Sequence, residues 1–203
     1  METPPATVFV IDDDLSIRKS LARLLSAEGF VVETFDSADS FLHSYLRDRP
    51  GCIVVDLQMP GIDGLELQSR LKEVDCYLPT VFISGHGSIP STVKAMKEGA
   101  VDFLTKPVED RDLLAAIGRA LDQDRSQRYR RREIADVDQR YAGLTPREKE
   151  VFSHIVVGML NKEVAAQMGI SEKTVKVHRA RVMEKMEADS LAELVRFAEK
   201  LGM

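Results

Sequence analysis

Residues 7–14, TVFVIDDD, set five β-branched or apolar residues ahead of three consecutive aspartates. The run is short, β-branched and apolar at successive positions, so it reads as a strand buried on both faces and ending in carboxylates. The same pattern returns at 31–34, 52–55, 80–83 and 101–104. Amphipathic stretches between these runs begin near Leu15, Ser37, Gly64, Ser88 and Glu109. In the first of them Ile17, Leu21, Leu24 and Leu25 share a face before Gly29, which reads as a helix stop. Strand and helix alternating in this way predict an α/β doubly wound, five-stranded parallel sheet of order 2-1-3-4-5. Its ligand site is expected beyond the carboxyl ends of the strands.

That rule can be applied to the polar residues. Asp12, Asp13 and Asp14 follow the first strand and Asp56 follows the third, and these two strands are neighbours in the expected order. Converging carboxylates repel one another unless a hard divalent cation lies among them, and Mg2+ suits one or two carboxylates together with phosphate oxygens. An aspartate can also attack phosphorus to form an acyl phosphate if cations neutralise the transferring group. Lys106, past the fifth strand, supplies such a cation, and Ser84, ending the fourth, supplies a hydroxyl. Taken singly, aspartates after a strand are turn or cap residues more often than ligands. Four elements at the carboxyl ends of the expected strands favour a site.

The chain has 203 residues, 44% apolar and 30% charged, which is room for two globular cores and the composition of neither a disordered nor a fibrous protein. No apolar run approaches the roughly 20 residues of a membrane span, and METPPA at residues 1–6 lacks the pattern of a signal peptide, so a cytoplasmic location without membrane association is expected. Cys52 and Cys76 are the only cysteines and show neither disulfide nor zinc spacing; Cys52 reads as core. The net charge of -5 divides unevenly, with 12 basic and 20 acidic residues in 1–123 against 16 and 13 in 124–203. A basic second half is what contact with nucleic acid there would require.

Residues 122–140, DQDRSQRYRRREIADVDQR, contain many arginines and no proline or glycine, and read as an extended or continuing helical linker. Thr145-Pro146-Arg147-Glu148 then forms a capping-box start to a helix reaching about Val157. Gly158 stops it, Asn161 is expected to cap a second helix through Met168, and Gly169 permits a turn before Ser171 caps a third. Two short helices about a glycine turn make a helix-turn-helix, and a fourth helix over 191–200 completes an all-α four-helix domain. On the third helix Val175, Val182 and Met186 share the packing face with His178 beside them. Lys173, Lys176, Val177 and Ala180 lie opposite, flanked by Thr174, Arg179 and Arg181. Lysine can donate to guanine edges or phosphates, Val177 and Ala180 can touch thymine methyls, and the two arginines suit phosphates. A charged face that is simply solvated is the alternative, and the capped helix and glycine turn argue against it.

The blocks VFVIDDD, VVDLQMPGIDG, VFISGHG and DFLTKP make residues 1–123 resemble a response-regulator receiver, which is a flavodoxin-like domain. The resemblance implies that Asp12, Asp13, Asp56 and the Gln58 carbonyl hold Mg2+, that Asp56 is phosphorylated by a cognate sensor histidine kinase, and that Ser84 and Phe103 form a switch pair. It further implies a cis peptide at Lys106-Pro107. Phe103 stands where many receivers carry tyrosine, so an exposed ring has no hydroxyl to bond outward. His86 and Gln58 flank the route of water to an acyl phosphate, although His86 reads equally as an exposed loop residue between glycines.

Residues 143–203 resemble a LuxR-type DNA-binding domain through LTPREKEV and NKEVAAQMGISEKTVKVHRARVMEKM, and the domain order resembles FixJ-like regulators. By resemblance, the domains are a receiver at 1–123, a helical linker at 124–142 and a DNA-binding domain at 143–203. The implied function is phosphorylation-controlled binding to double-stranded promoter DNA and regulation of transcription, with RNA polymerase a partner and a homodimer formed on activation or on DNA. Leu194, Val195 and Ala198 would supply the dimer contact unless they pack on their own domain, and Ala180 replaces a basic residue found in some relatives. Activation could proceed by unmasking or by dimerisation. Two other readings are a phosphorylation-independent DNA binder and an aspartyl-phosphate phosphohydrolase, the latter opposed by Gln58 where a second acid would stand.

Overall fold

The computed structural model describes residues 5–45, 48–85 and 89–203. The chain divides into two compact units, residues 1–127 and 128–203.

In the first unit β1 (Thr7–Ile11), β2 (Val31–Phe35), β3 (Gly51–Asp56), β4 (Thr80–Ser84) and β5 (Asp102–Thr105) form a parallel sheet of order β2-β1-β3-β4-β5. The helices α1 (Leu15–Ala27), α2 (Ala38–Ser44), α3 (Gly64–Glu73), α4 (Ile89–Lys97) and the start of α5 (Asp110–Ala142) alternate with the strands. Period-two alternation divides each strand between two cores. Phe9, Ile11, Ile53, Val55 and Phe82 pack with Phe41, Leu67, Leu71 and Ala95 of α2, α3 and α4. On the other face Val8, Val10, Cys52, Val54, Val81 and Ile83 pack with Leu25 of α1 and Leu113, Ala116, Ile117 and Ala120 of α5. Burial on both faces explains why β1, β3 and β4 lack polar alternation. At the edge, β2 is partly exposed, and its Glu33 is paired with Arg49.

The expected strands at 31–34, 52–55 and 80–83 each run one or two residues further, and the fifth begins at Asp102 rather than residue 101. Asp102 accepts the Phe103 N–H through its own Oδ1 at 2.9 Å. The helix start expected near Ser88, and His86, lie outside the described residues.

Helix α5 is 33 residues long and crosses the division between the units. It supplies Val137, 3% exposed, to the second core. Asp124, 2% exposed despite its charge, accepts the Gly51 N–H at 3.0 Å. Gly51 has φ +153, and a Cβ there would stand 2.0 Å from the Thr7 carbonyl oxygen, so only glycine fits. Burial, reinforced by the Asp124 charge, pushes the neighbouring Cys52 thiol up to about 12, consistent with an inert core cysteine.

The second unit packs α6 (Pro146–Val156), α7 (Asn161–Met168), α8 (Glu172–Met186) and α9 (Leu191–Lys200) around Val151, Phe152, Ile155, Val164, Val175, Val182, Met186 and Leu194. Thr145 and Glu148 form the expected reciprocal cap of α6. Gly169 turns with φ 65 between α7 and α8, and Ser171 caps α8 by accepting the Thr174 N–H at 3.1 Å. Asn161 is the first residue of α7 rather than its cap; Leu160 holds that position and donates its N–H to Glu163 at 2.7 Å. Among the described residues no helix is long and apolar enough to cross a membrane.

Candidate functional site

The three aspartates after β1 divide between structure and chemistry. Asp14 caps α1 by accepting the Ser16 N–H at 2.7 Å. Asp12 is 2% exposed, and one of its oxygens accepts the Asp14 N–H at 2.8 Å, which fixes the carboxylate beside the end of β3. Arg18 Nη1 donates to the Asp12 carbonyl at 2.6 Å, a contribution the sequence pattern did not reveal. Asp56 ends β3 and is 9% exposed. Asp12, Asp13 and Asp56 each offer an oxygen within 4.8 Å of the others. An all-carboxylate set of hard oxygen donors at this spacing fits a hard divalent cation such as Mg2+. Gln58, exposed in the loop after β3, donates its backbone N–H to Asp56 Oδ1 at 3.4 Å.

Lys106 Nζ lies 2.9 Å from Asp12 Oδ2 and 2.9 Å from Asp56 Oδ2. Its backbone N–H donates to Ser84 O at 2.8 Å, which ties the lysine loop to the end of β4, and the Lys106-Pro107 peptide is cis. Burial opposes the ammonium charge, but the hydrogen bonds to Asp12 and Asp56 outweigh it and hold the group above its ordinary value. Three carboxylates and one ammonium leave the cluster net negative, which favours a further cation among them.

Ser84 is fully buried at the end of β4, two register steps beyond Phe82 and Phe103, which are paired. Phe103 is half-buried, with its ring nearly parallel to Phe82 at 6.1 Å. The loop carrying Asp56 is pinned by Leu57, Met59 and Ile62, all at most 8% exposed, and by Gly64, whose N–H donates to Leu57 O at 3.0 Å.

On α8, Val175, Val182 and Met186 are fully buried, while Lys173, Lys176, Val177, Ala180 and Arg181 are exposed. Thr174 is half-buried, its hydroxyl 2.8 Å from that of Ser171. Arg179, expected to serve phosphates, donates to Asn161 Oδ1 at 3.3 Å and so braces α8 against α7. The expected dimer residues need correcting in part. Leu194 is 0% and Ala198 3% exposed because the apolar face of α9 is covered by its own unit, and only Val195 of the three presents surface.

A doubly wound sheet with clustered aspartates at its carboxyl edge, followed by a helix-turn-helix with an exposed basic helix, defines a response regulator. The response regulator receiver domain family matches residues 8–118, and the luxR family of bacterial regulatory proteins matches residues 142–198. The chain belongs to the response regulators that join these two domains and is a transcription regulator of that family.

Similar proteins are alike from end to end. Nodulation protein W of Bradyrhizobium diazoefficiens is 45% identical over 198 residues, 98% of this chain and 87% of its own. Transcriptional regulatory protein FixJ of the same organism is 44% identical over 201 residues, 99% of this chain and 98% of its own. The solved structure of response regulator StyR has 45% identity and a TM-score of 0.87, covering 97% of this chain and 99% of that one.

Proposed function

We propose that Asp56 accepts a phosphoryl group from the phosphohistidine of a sensor kinase and that this modification controls binding of α8 to double-stranded promoter DNA. A carboxylate oxygen of Asp56 attacks phosphorus, the P–N bond breaks, and the departing imidazole keeps the electron pair and takes up a proton. Lys106, already 2.9 Å from Asp56 Oδ2, neutralises a transferring oxygen, and the Ser84 hydroxyl donates to another. Asp12, Asp13, Asp56 and the Gln58 carbonyl would hold Mg2+, which supplies charge neutralisation of the phosphoryl oxygens. Phe103 then repacks beside Phe82 as Ser84 turns to the phosphoryl group.

The observation that carries this reading is the bridging of Asp12 and Asp56 by one ammonium at the carboxyl ends of β1 and β3. Gln58 offers no acid two residues beyond Asp56 to protonate a leaving group, which disfavours a phosphohydrolase. On the DNA side, Lys173, Lys176, Val177, Ala180 and Arg181 form the reading face, Thr174 supports the cap, and Arg179 holds the helix pair. Dimeric binding brings Val195 to the surface contact, recruitment of RNA polymerase follows at the promoter, and the whole cycle is cytoplasmic. Residues 1–123 act as receiver, 124–142 as linker and 143–203 as DNA-binding domain.

The test is electrophoretic retardation of a duplex recovered by the full chain from a random-sequence pool, with and without a small phosphodonor and Mg2+. Phosphorylation should alter the affinity of the wild type and leave Asp56→Asn unmoved. Equal affinity of the wild type in both states would remove the control claimed for Asp56.

A further inference from the structure

Helices α5 and α8 both end beside the start of α6. Each terminus leaves carbonyls without intrahelical partners and carries the negative end of a helix dipole, so two such termini repel unless cations stand between them. Two cations do, and each comes from one helix and serves the end of the other. Arg140, on α5, donates through Nη1 to the Met186 carbonyl at 3.3 Å, the last residue of α8, and pairs through Nη2 with Glu187 at 2.8 Å. Lys185, on α8, donates to the Gly143 carbonyl just past α5 at 3.4 Å and to Glu148 Oε2 at 2.7 Å.

Glu148 has a side chain only 3% exposed and is held by its reciprocal cap with Thr145, so Lys185 is tied to a fixed point. Glu187 takes the left-handed conformation, φ 52, without being glycine. Beside these ties lies a cleft of about 580 Å³ lined by Asp136, Gln139, Arg140, Gly143, Lys185 and Glu187. Unlike the close-packed core on the other side of α8, it leaves the guanidinium and ammonium room to exchange partners, Asp136 among them.

We infer that Arg140 and Lys185 are positioning residues that cross-tie α5 to the recognition helix, so that a change carried along α5 alters how α8 presents Lys176 and Val177. Val177 lies nine positions before Met186, about 14 Å along a helix rising 1.5 Å per residue, so a small tilt at the tied end displaces the reading face. The inference rests on phosphorylation controlling DNA binding.

The experiment uses the full chain as wild type, Arg140→Met, Arg140→Lys and Lys185→Met. For each, the phosphoryl mass gain, the melting temperature and the affinity for one duplex selected from a random pool are measured in both phosphorylation states. A wild-type affinity ratio in the range usual for coupled sites, about 5- to 150-fold, should fall toward one in Arg140→Met and Lys185→Met while the mass gain stays at the wild-type level. Arg140→Lys, which keeps a cation at the joint, should recover much of the ratio. An unchanged ratio, with affinity lowered by the same factor in both states, would reduce the joint to a stability element and overturn the inference. A wild type with no mass gain, or with a ratio of one, would instead sink the proposed function from which the inference starts.

Discussion

Lys106 reaches across from the loop after β5 to bring Nζ within 2.9 Å of Asp56 Oδ2 at the end of β3. Its side chain is 22% exposed and that of Asp56 11%, so the pair is only weakly screened by solvent. Lys106→Met should slow phosphoryl transfer to Asp56 by about 100-fold or more, the scale for removing one charge-stabilising donor from a reacting centre. Mass measurements over time with a small phosphodonor check this, and a rate within a factor of a few of wild type would contradict it.

Gly64 adjoins the same loop so closely that a Cβ would stand 2.6 Å from the Asp56 carbonyl oxygen and 3.0 Å from Phe82 Cε1. Gly64→Ala forces the backbone after β3 to shift and should cost about 1–3 kcal/mol in the first unit, as overpacking does. Hydrogen exchange of the Leu57 amide, which donates to Ile83 O at 2.9 Å, should accelerate.

The pH dependence of the second unit should turn on Glu148. Its hydrogen bond from Lys185, aided by the Thr145 N–H, lowers the carboxyl from 4.5 to about 2. Between those values the unfolded chain binds the proton more readily than the folded one, so stability falls as pH falls through the window and is fully present above it. The loss is on the order of 2 kcal/mol. Exchange at the Thr145 amide, followed from pH 5 downward (roughly one unit above the carboxylate range), should show it in wild type and lose it in Glu148→Gln.

Leu194 and Val195 separate core from surface on α9. Leu194→Ala should destabilise the second unit by about 2–5 kcal/mol, the cost of truncating a fully buried leucine. Val195→Ala should leave the melting temperature within a degree or two, given the usual ±0.5 kcal/mol of surface changes, and lower only the fraction of dimer on DNA. Sedimentation of the protein–DNA complex measures the latter.

The central strands β1, β3 and β4 were legible because burial on both faces leaves near-continuous apolar runs, and Asp12, Asp56, Ser84 and Lys106 were legible because the strand ends locate them. Arg18, which braces the Asp12 carbonyl, was not, since a half-buried arginine in the first turn of α1 has no local signature of its partner. The same holds for Lys185, 37 residues from Glu148, and for Arg140, 46 residues from Met186. The apolar stripe of α9 was visible in the sequence, but periodicity marks only that a face is covered and not whether its own unit or a second copy covers it. Asn161 was misassigned as a cap because its amide serves Arg179.

The central claim is that a carboxylate held between Asp12, Asp13 and Lys106 takes a labile phosphoryl group. Intact-mass measurement of the full chain with a small phosphodonor, with Mg2+ and with the metal chelated, tests it most directly. One phosphoryl mass should appear with Mg2+, vanish with chelation and be absent from Asp56→Asn. A Mg2+-independent gain, a gain retained by Asp56→Asn, or none under any donor would contradict it.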